Sequence, residues 1–240
     1  MKLILLAIFA SLGAPSEAQL RQVGASDVSV RQYPFVAALT YTRQLAGNGA
    51  IIASRWVLTS ASAVYATPDS EYDVAVGVDH LDARDGKWYQ FVGWDYNVAL
   101  VLVRGDIQTG DTIQPIGLGT SVPETLEVKM VSYGKNNEGT THLQEATYTL
   151  ISDNVDCVGL LDEPVAKEVI WQKHGFCLIP PPGTEQGQWY NDAGAPMVAS
   201  GELYALFAFS ENEGGTNVGS VATRVSSFAG WIESTMANNN

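Results

Sequence analysis

Few side chains here are suited to proton transfer or nucleophilic attack at neutral pH: three histidines, His80, His142 and His174, and two cysteines, Cys157 and Cys177. Imidazole is the side chain whose ordinary pKa lies nearest neutrality, so a catalytic base or a transition-metal site would be sought there first. His80 follows a strand-type run, His142 adjoins the polar stretch 137–141, and His174 lies in the approach to Cys177. None has the short spacing of zinc ligands, and we read all three as solvated loop residues. Asp79, Asp82 and Asp85 form an acidic stretch without the oxygen-ligand pattern of a calcium loop. No metal and no other cofactor is expected.

The cysteines gain meaning from the compartment. Met1-Lys2, the apolar run from Leu3 to Leu12 and the small residues ending at Ala18 have the plan of a secretory signal, residues 1–18, with cleavage leaving Gln19 first. That run is too short to span a bilayer, and no later run of about 18 apolar residues occurs. A secreted, extracellular chain is expected, and there an even cysteine count favours a disulfide. Closing a loop of about 20 residues is worth roughly 3 kcal/mol in the chain-entropy model.

Thirteen basic and 26 acidic side chains give a net charge of -13, and removal of Lys2 and Glu17 with the signal leaves it unchanged. A field of that sign repels phosphate backbones, heparin-like polymers and anionic lipid. Nucleic acid and membrane surfaces are therefore not expected partners, and solubility accounts for the charge.

The elements that must position any site are short and β-rich. Runs at 35–41, 50–59, 72–78, 97–103, 127–132, 146–151, 203–209 and 218–225 are broken by Gly, Asn, Asp and Pro, the pattern of an all-β barrel or sandwich. Two stretches depart from it. Ser152-Asp153-Asn154 can cap a short helix towards Leu161, and residues 226–236, with Phe228, Trp231 and Ile232 on one face, predict a terminal helix. At 46% apolar the chain can fill a core, and it shows no fixed-period repeat.

Residues 54–63, Ser-Arg-Trp-Val-Leu-Thr-Ser-Ala-Ser-Ala, and 191–196, Asn-Asp-Ala-Gly-Ala-Pro, resemble two signature blocks of the trypsin/chymotrypsin family of serine peptidases, which end Ala-Ala-His-Cys and read Gly-Asp-Ser-Gly-Gly-Pro. Five further fragments follow that family in order: Arg21 to Ala25 resembles its activation site, Tyr33-Pro34-Phe35 the entry to the first barrel, and Asn97 to Leu100 its Asp-Ile-Ala-Leu block. Val221 to Val225 resembles its Val-Tyr-Thr-Arg-Val strand, and Trp231-Ile232 the helix after it. The resemblance implies two packed six-stranded Greek-key β-barrels, here residues 19–120 and 121–240, with the site in the seam and a C-terminal helix outside.

It also implies roles that this chain's residues cannot fill. Ser62, Asn97 and Ala193 occupy the places of base, orienting carboxylate and nucleophile. Acyl transfer by that machinery needs an imidazole, a carboxylate and a hydroxyl at those places, and these three side chains supply none of them in its place. Asn191 stands at the former oxyanion hole. Asp192 matches the acceptor of a freshly cut N-terminal amine, although Gln22 replaces the usual aliphatic residue after Arg21. Gly47 and Ala63 replace one cysteine pair of the family, Trp189 replaces a member of a second, and Cys157 and Cys177 match a third. The former specificity pocket is expected at Gly187, Trp189, Tyr190 and Phe209, with no carboxylate on its floor and aromatics that either plug it or anchor a bound peptide.

The expectation is a secreted, non-catalytic serine protease homologue that binds a protein or peptide, such as an active protease, its substrate or an inhibitor, as cofactor, decoy or regulator. The alternative is a serine-type endopeptidase-fold protein with weak residual hydrolytic activity; a storage protein of body fluid is a third class.

Overall fold

Alternation along the strands explains why so many of them read as unbroken apolar runs. In the computed structural model, β2 (Val36–Tyr41) follows a two-residue strand, β1 (Ser26–Asp27), and is buried on both faces. Val36 and Ala38 point into one core cluster and Ala37 and Leu39 into another, because successive side chains of a strand leave opposite faces. The structure describes residues 24–42, 44–64, 72–81, 87–90, 98–134, 142–152, 154–184, 186–188, 190–211 and 219–239. The signal segment, Arg21, Gln22, Asp82, Asp85, Asn97 and Trp189 lie outside them.

A first sheet of six strands contains β2, β3 (Gln44–Ala53), β4 (Trp56–Ser60), β5 (Tyr72–Val76), β6 (Lys87–Gln90) and β7 (Val98–Leu102), in the order β6-β5-β2-β3-β4-β7. The run 50–59, expected as one strand, is the end of β3 and β4 as far as Thr59, reversed at Ser54-Arg55. The first half of β3, Gln44 to Gly49, escaped the sequence pattern because its two glycines dilute the apolar signal. Its glycines have a steric reason: a Cβ on Gly49 would come within 2.9 Å of the Leu58 carbonyl on the paired strand.

The second sheet holds β8 (Gly117–Leu118), β9 (Thr125–Ser132), β10 (Gln144–Ile151), β11 (Gly175–Ile179), β12 (Pro196–Ala199), β13 (Glu202–Ser210) and β14 (Ser220–Arg224), together with β1. Six of them close into a ring, β9-β10-β11-β14-β13-β12 and back to β9. The expected second barrel of six strands is therefore present, with β1 and β8 added as two-residue accessories on β10 and β13. Strand β10 shows strict alternation, Gln144, Ala146, Tyr148 and Leu150 facing inwards.

Only the second sheet closes on itself; the first is an open order among the described residues, where three helices lie outside both sheets. The expected capped helix is α1 (Asn154–Gly159), and the terminal one is α3 (Ala229–Asn238), entered through a 3-10 turn at Val225–Phe228. Between them α2 (Pro164–Trp171) was not expected. Pro164 opens it, where a missing N–H costs nothing, and the Glu211 carboxylate accepts the N–H groups of Asp162 and Glu163 just before it, at 2.8–3.0 Å. The Cys157–Cys177 disulfide ties α1 to β11. No helix among the described residues is long and apolar enough to cross a membrane.

Candidate functional site

The turn 190–195 is where the two sheets are stitched together. It begins as a 3-10 turn, Tyr190–Asp192, and continues through Gly194 at φ 78°, a left-handed backbone that favours glycine. Space forbids any other residue there as well: a Cβ on Gly194 would collide with the Asn48 carbonyl and the Thr59 hydroxyl. The Ala193 carbonyl accepts the Asn48 N–H at 2.8 Å, the Gly194 N–H reaches the Phe207 carbonyl at 2.8 Å, and the Phe207 N–H returns to the Ala195 carbonyl at 2.9 Å. The turn thus hangs between β3 of the first sheet and β13 of the second.

Asn48 is the residue that sequence reasoning missed. Fully buried, it donates its side-chain N–H to the Asn191 carbonyl at 2.9 Å and accepts the Tyr133 N–H at 2.9 Å, while the Thr59 hydroxyl donates to its carbonyl. It satisfies one backbone group of the turn and one of β9's exit at once. A polar residue flanked by Gly47 and Gly49 in an otherwise apolar strand was the available signal, since a buried amide persists only where its bonds are made.

Asn191 is buried and its side-chain N–H donates to the Leu45 carbonyl at 2.9 Å. Its backbone is not left-handed. Its side-chain oxygen Oδ1 is buried with no hydrogen-bond partner among the described residues. Asp192 is fully buried, and one carboxylate oxygen accepts the Ser132 hydroxyl at 2.7 Å.

Of the three positions that the resemblance matches to a triad, Ala193 is buried and packs in the first sheet's cluster with Ala63 and Val64. Ser62 is exposed on the 3-10 turn Ala61–Ala63, and its hydroxyl lies 2.8 Å from that of Ser60. Asn97 falls outside the described residues. Gly47 and Ala63 face each other so closely that a Cβ on Gly47 would strike that of Ala63, which is the placement implied for a vanished cysteine pair.

Gly187, expected on the floor of a former specificity pocket, is buried between two buried glutamines. Gln188 accepts the Ser220 hydroxyl at 3.0 Å, and the Gln186 Oε1 has no partner among the described residues. Neither glutamine was singled out from the sequence. Phe209, expected to crowd the pocket, packs against the cluster around Cys157 and Cys177. Trp189 and the Tyr190 side chain are not described.

The histidines need one correction. His174 packs near Phe228, ring centroids 5.3 Å apart. His80 and His142, read as separate loop residues, meet as an isolated antiparallel bridge with their rings in edge contact. Their wide separation in sequence hid the pairing. No cluster of three metal-ligating side chains occurs among the described residues.

Against known proteins, the family model described as Trypsin matches residues 22–232. Serine protease SP24D of Anopheles gambiae is 28% identical over 90% of this chain and 81% of its own length, and kallikrein-4 of Homo sapiens is 26% identical over 97% and 93%. Among solved structures, neuropsin, a serine protease of mouse brain, superposes with a TM-score of 0.74, covering 89% of this chain and 99% of the neuropsin chain at 18% identity. Human heparin binding protein does so with a TM-score of 0.72, covering 90% and 97% at 18% identity. The structural neighbours speak to the fold.

Proposed function

The chain belongs to the trypsin family, and from that membership we propose that it is a secreted homologue that binds a protein or peptide without cleaving it. The observation that carries the reading is Ala193: the turn around it keeps its glycine, its buried Asp192 and its anchoring bonds to both sheets, while the residue at its centre has a methyl group where acyl transfer needs a nucleophile. Ser62 offers a hydroxyl turned towards Ser60 and no base. The buried Gln188–Ser220 pair beside Gly187 adds support, since it sets polar side chains where a substrate side chain would enter.

Secretion rests on the signal-like start and on the disulfide, which persists in oxidising compartments. The partner is a protein or peptide such as an active protease, its substrate or an inhibitor. The name of the human heparin binding protein does not carry over, because a chain with a net charge of -13 repels a polyanion.

Labelling by a serine-directed fluorophosphonate tests the proposal. The purified mature chain should show no adduct, and no amidolysis of Arg, Lys, Phe or Leu substrates. Turnover that co-purifies with the chain and is lost on mutating one of its own residues would return it to the enzymes.

A further inference from the structure

His80, which follows β5, and His142, which leads into β10, come from opposite halves of the chain and pair as an antiparallel bridge. The Leu143 N–H donates to the Asp79 carbonyl at 2.9 Å, one residue outside the pair on each strand. That makes His80 and His142 a non-hydrogen-bonded pair, the register in which facing Cα atoms approach to about 4.5 Å and the side chains share one face. Their ring centroids are 3.8 Å apart at an interplanar angle of 84°, and both residues are half-buried.

Among the described residues the neighbouring groups leave these imidazoles unclaimed. Asp79 accepts the Val30 N–H at 2.6 Å and the Ser29 hydroxyl at 3.5 Å. Glu145 is engaged by the Tyr33 hydroxyl and by Lys129, the latter at 3.4 Å. Among the described residues neither ring has a hydrogen-bond partner. Rotation about Cα–Cβ between staggered wells, together with the broad Cβ–Cγ torsion of histidine, spreads the two rings from edge contact and aims one nitrogen of each at a common point. Side chains of a non-hydrogen-bonded pair, rooted on Cα atoms about 4.5 Å apart, are then close enough for both nitrogens to reach one ion at about 2.0–2.1 Å.

We propose that His80 and His142 form a surface site for a divalent transition-metal ion of the zinc type, each giving one imidazole nitrogen and water completing the shell. Imidazole suits zinc, copper and nickel and not magnesium or calcium. Because one ligand follows β5 of the first sheet and the other enters β10 of the second, a bound ion clamps the two halves and stabilises the folded chain by mass action.

Zinc is the probe, titrated into the purified full chain by calorimetry and thermal melting with magnesium as control. The expected result is one zinc per chain and a rise in Tm of roughly 5–10 °C when free zinc is a hundredfold above Kd. His80→Gln and His142→Gln should each lose the heat and the shift, and His174→Gln should keep both. In the unmutated chain, zinc should also protect His80 and His142, but not His174, from acylation by diethylpyrocarbonate. An unshifted wild-type chain, a shift that survives in either His80→Gln or His142→Gln, or equal acylation of all three histidines overturns the site.

Discussion

Three side-chain changes would restore the family's triad on paper: Ser62→His, Asn97→Asp and Ala193→Ser. Catalysis of this type rests as much on donors aimed at the developing oxyanion as on the nucleophile. Here Asn191, the residue matched to that corner, is in a 3-10 turn with its side chain bonded to Leu45, and Gln188 beside Gly187 is bonded to Ser220. Loss of one oxyanion donor alone costs about 10²–10³ in turnover. The triple variant should therefore hydrolyse peptide esters at least about 10²-fold more slowly than active relatives. Stopped-flow hydrolysis of a small ester measures this, and a rate equal to theirs would mean that the cleft is still built for catalysis. At this scale the motifs alone pick out Ala193, Ser62 and Asp192 as candidates, and the structure sets Ala193 and Asp192 together on one buried turn. Asn48 and Gln188 were not picked out, because their importance lies in bonds to residues far along the chain, and no local pattern records such bonds.

At the scale of elements, the disulfide anchors the least sheet-like part of the molecule. Cys157 on α1 and Cys177 on β11 are buried in a small cluster with Leu161, Ala166, Ile170 and Val221. That cluster holds α1 and α2 against the second barrel, while Val155, Val165 and Trp171 remain exposed. Replacing both cysteines by alanine should cost about 3 kcal/mol by loop entropy, which in a chain of this size lowers Tm by roughly 6–12 °C. Amide exchange should quicken through 154–171 well before it does in β9 or β10, since the bridge closes only the 157–177 loop. Uniform quickening across the second barrel would show that the bridge supports the whole and not the helices. The same region shows why α2 escaped the sequence pattern. Val165 and Trp171 are apolar yet face solvent, so helical periodicity is blurred, and the Glu211 carboxylate that caps the approach comes from the end of β13. The terminal helix was legible because Ile232 faces inwards, with Phe228 and Trp231 packed on the same core.

At the scale of the molecule, the two halves share one core. Val30, Phe35, Leu58 and Val98 pack in the same cluster as Tyr133, Leu143, Leu206, Val225 and Ile232, and β1 pairs with β10 across the division expected at residue 120. Two phenols stand in that seam. The Tyr133 hydroxyl donates to the Val78 carbonyl at 2.8 Å, and the Tyr33 hydroxyl donates to Glu145. Burial, then the Asp79 charge, raises the Tyr133 pKa well above the ordinary phenol range; burial, then the bond to Glu145 and its charge, does the same for Tyr33. A group that holds its proton more tightly folded than unfolded contributes stability that is complete below the unfolded pKa, about 10 for tyrosine, and is lost as pH rises through the folded value. Above pH of about 10 the unfolded chain releases protons that the folded chain keeps, so unfolding is favoured by up to about 1.4 kcal/mol per pH unit for a fully buried phenol. Urea unfolding between pH of about 8 and 12 should show the wild-type curve falling more steeply than that of Tyr133→Phe, which starts about 1 kcal/mol lower for want of the bond to Val78. Tyr33→Phe should flatten the slope less, because its half-exposed phenol is screened by solvent. Parallel curves for wild type and Tyr133→Phe would mean that Tyr133 ionises as freely in the folded chain as in the unfolded one, and that the seam opens to water before the chain unfolds.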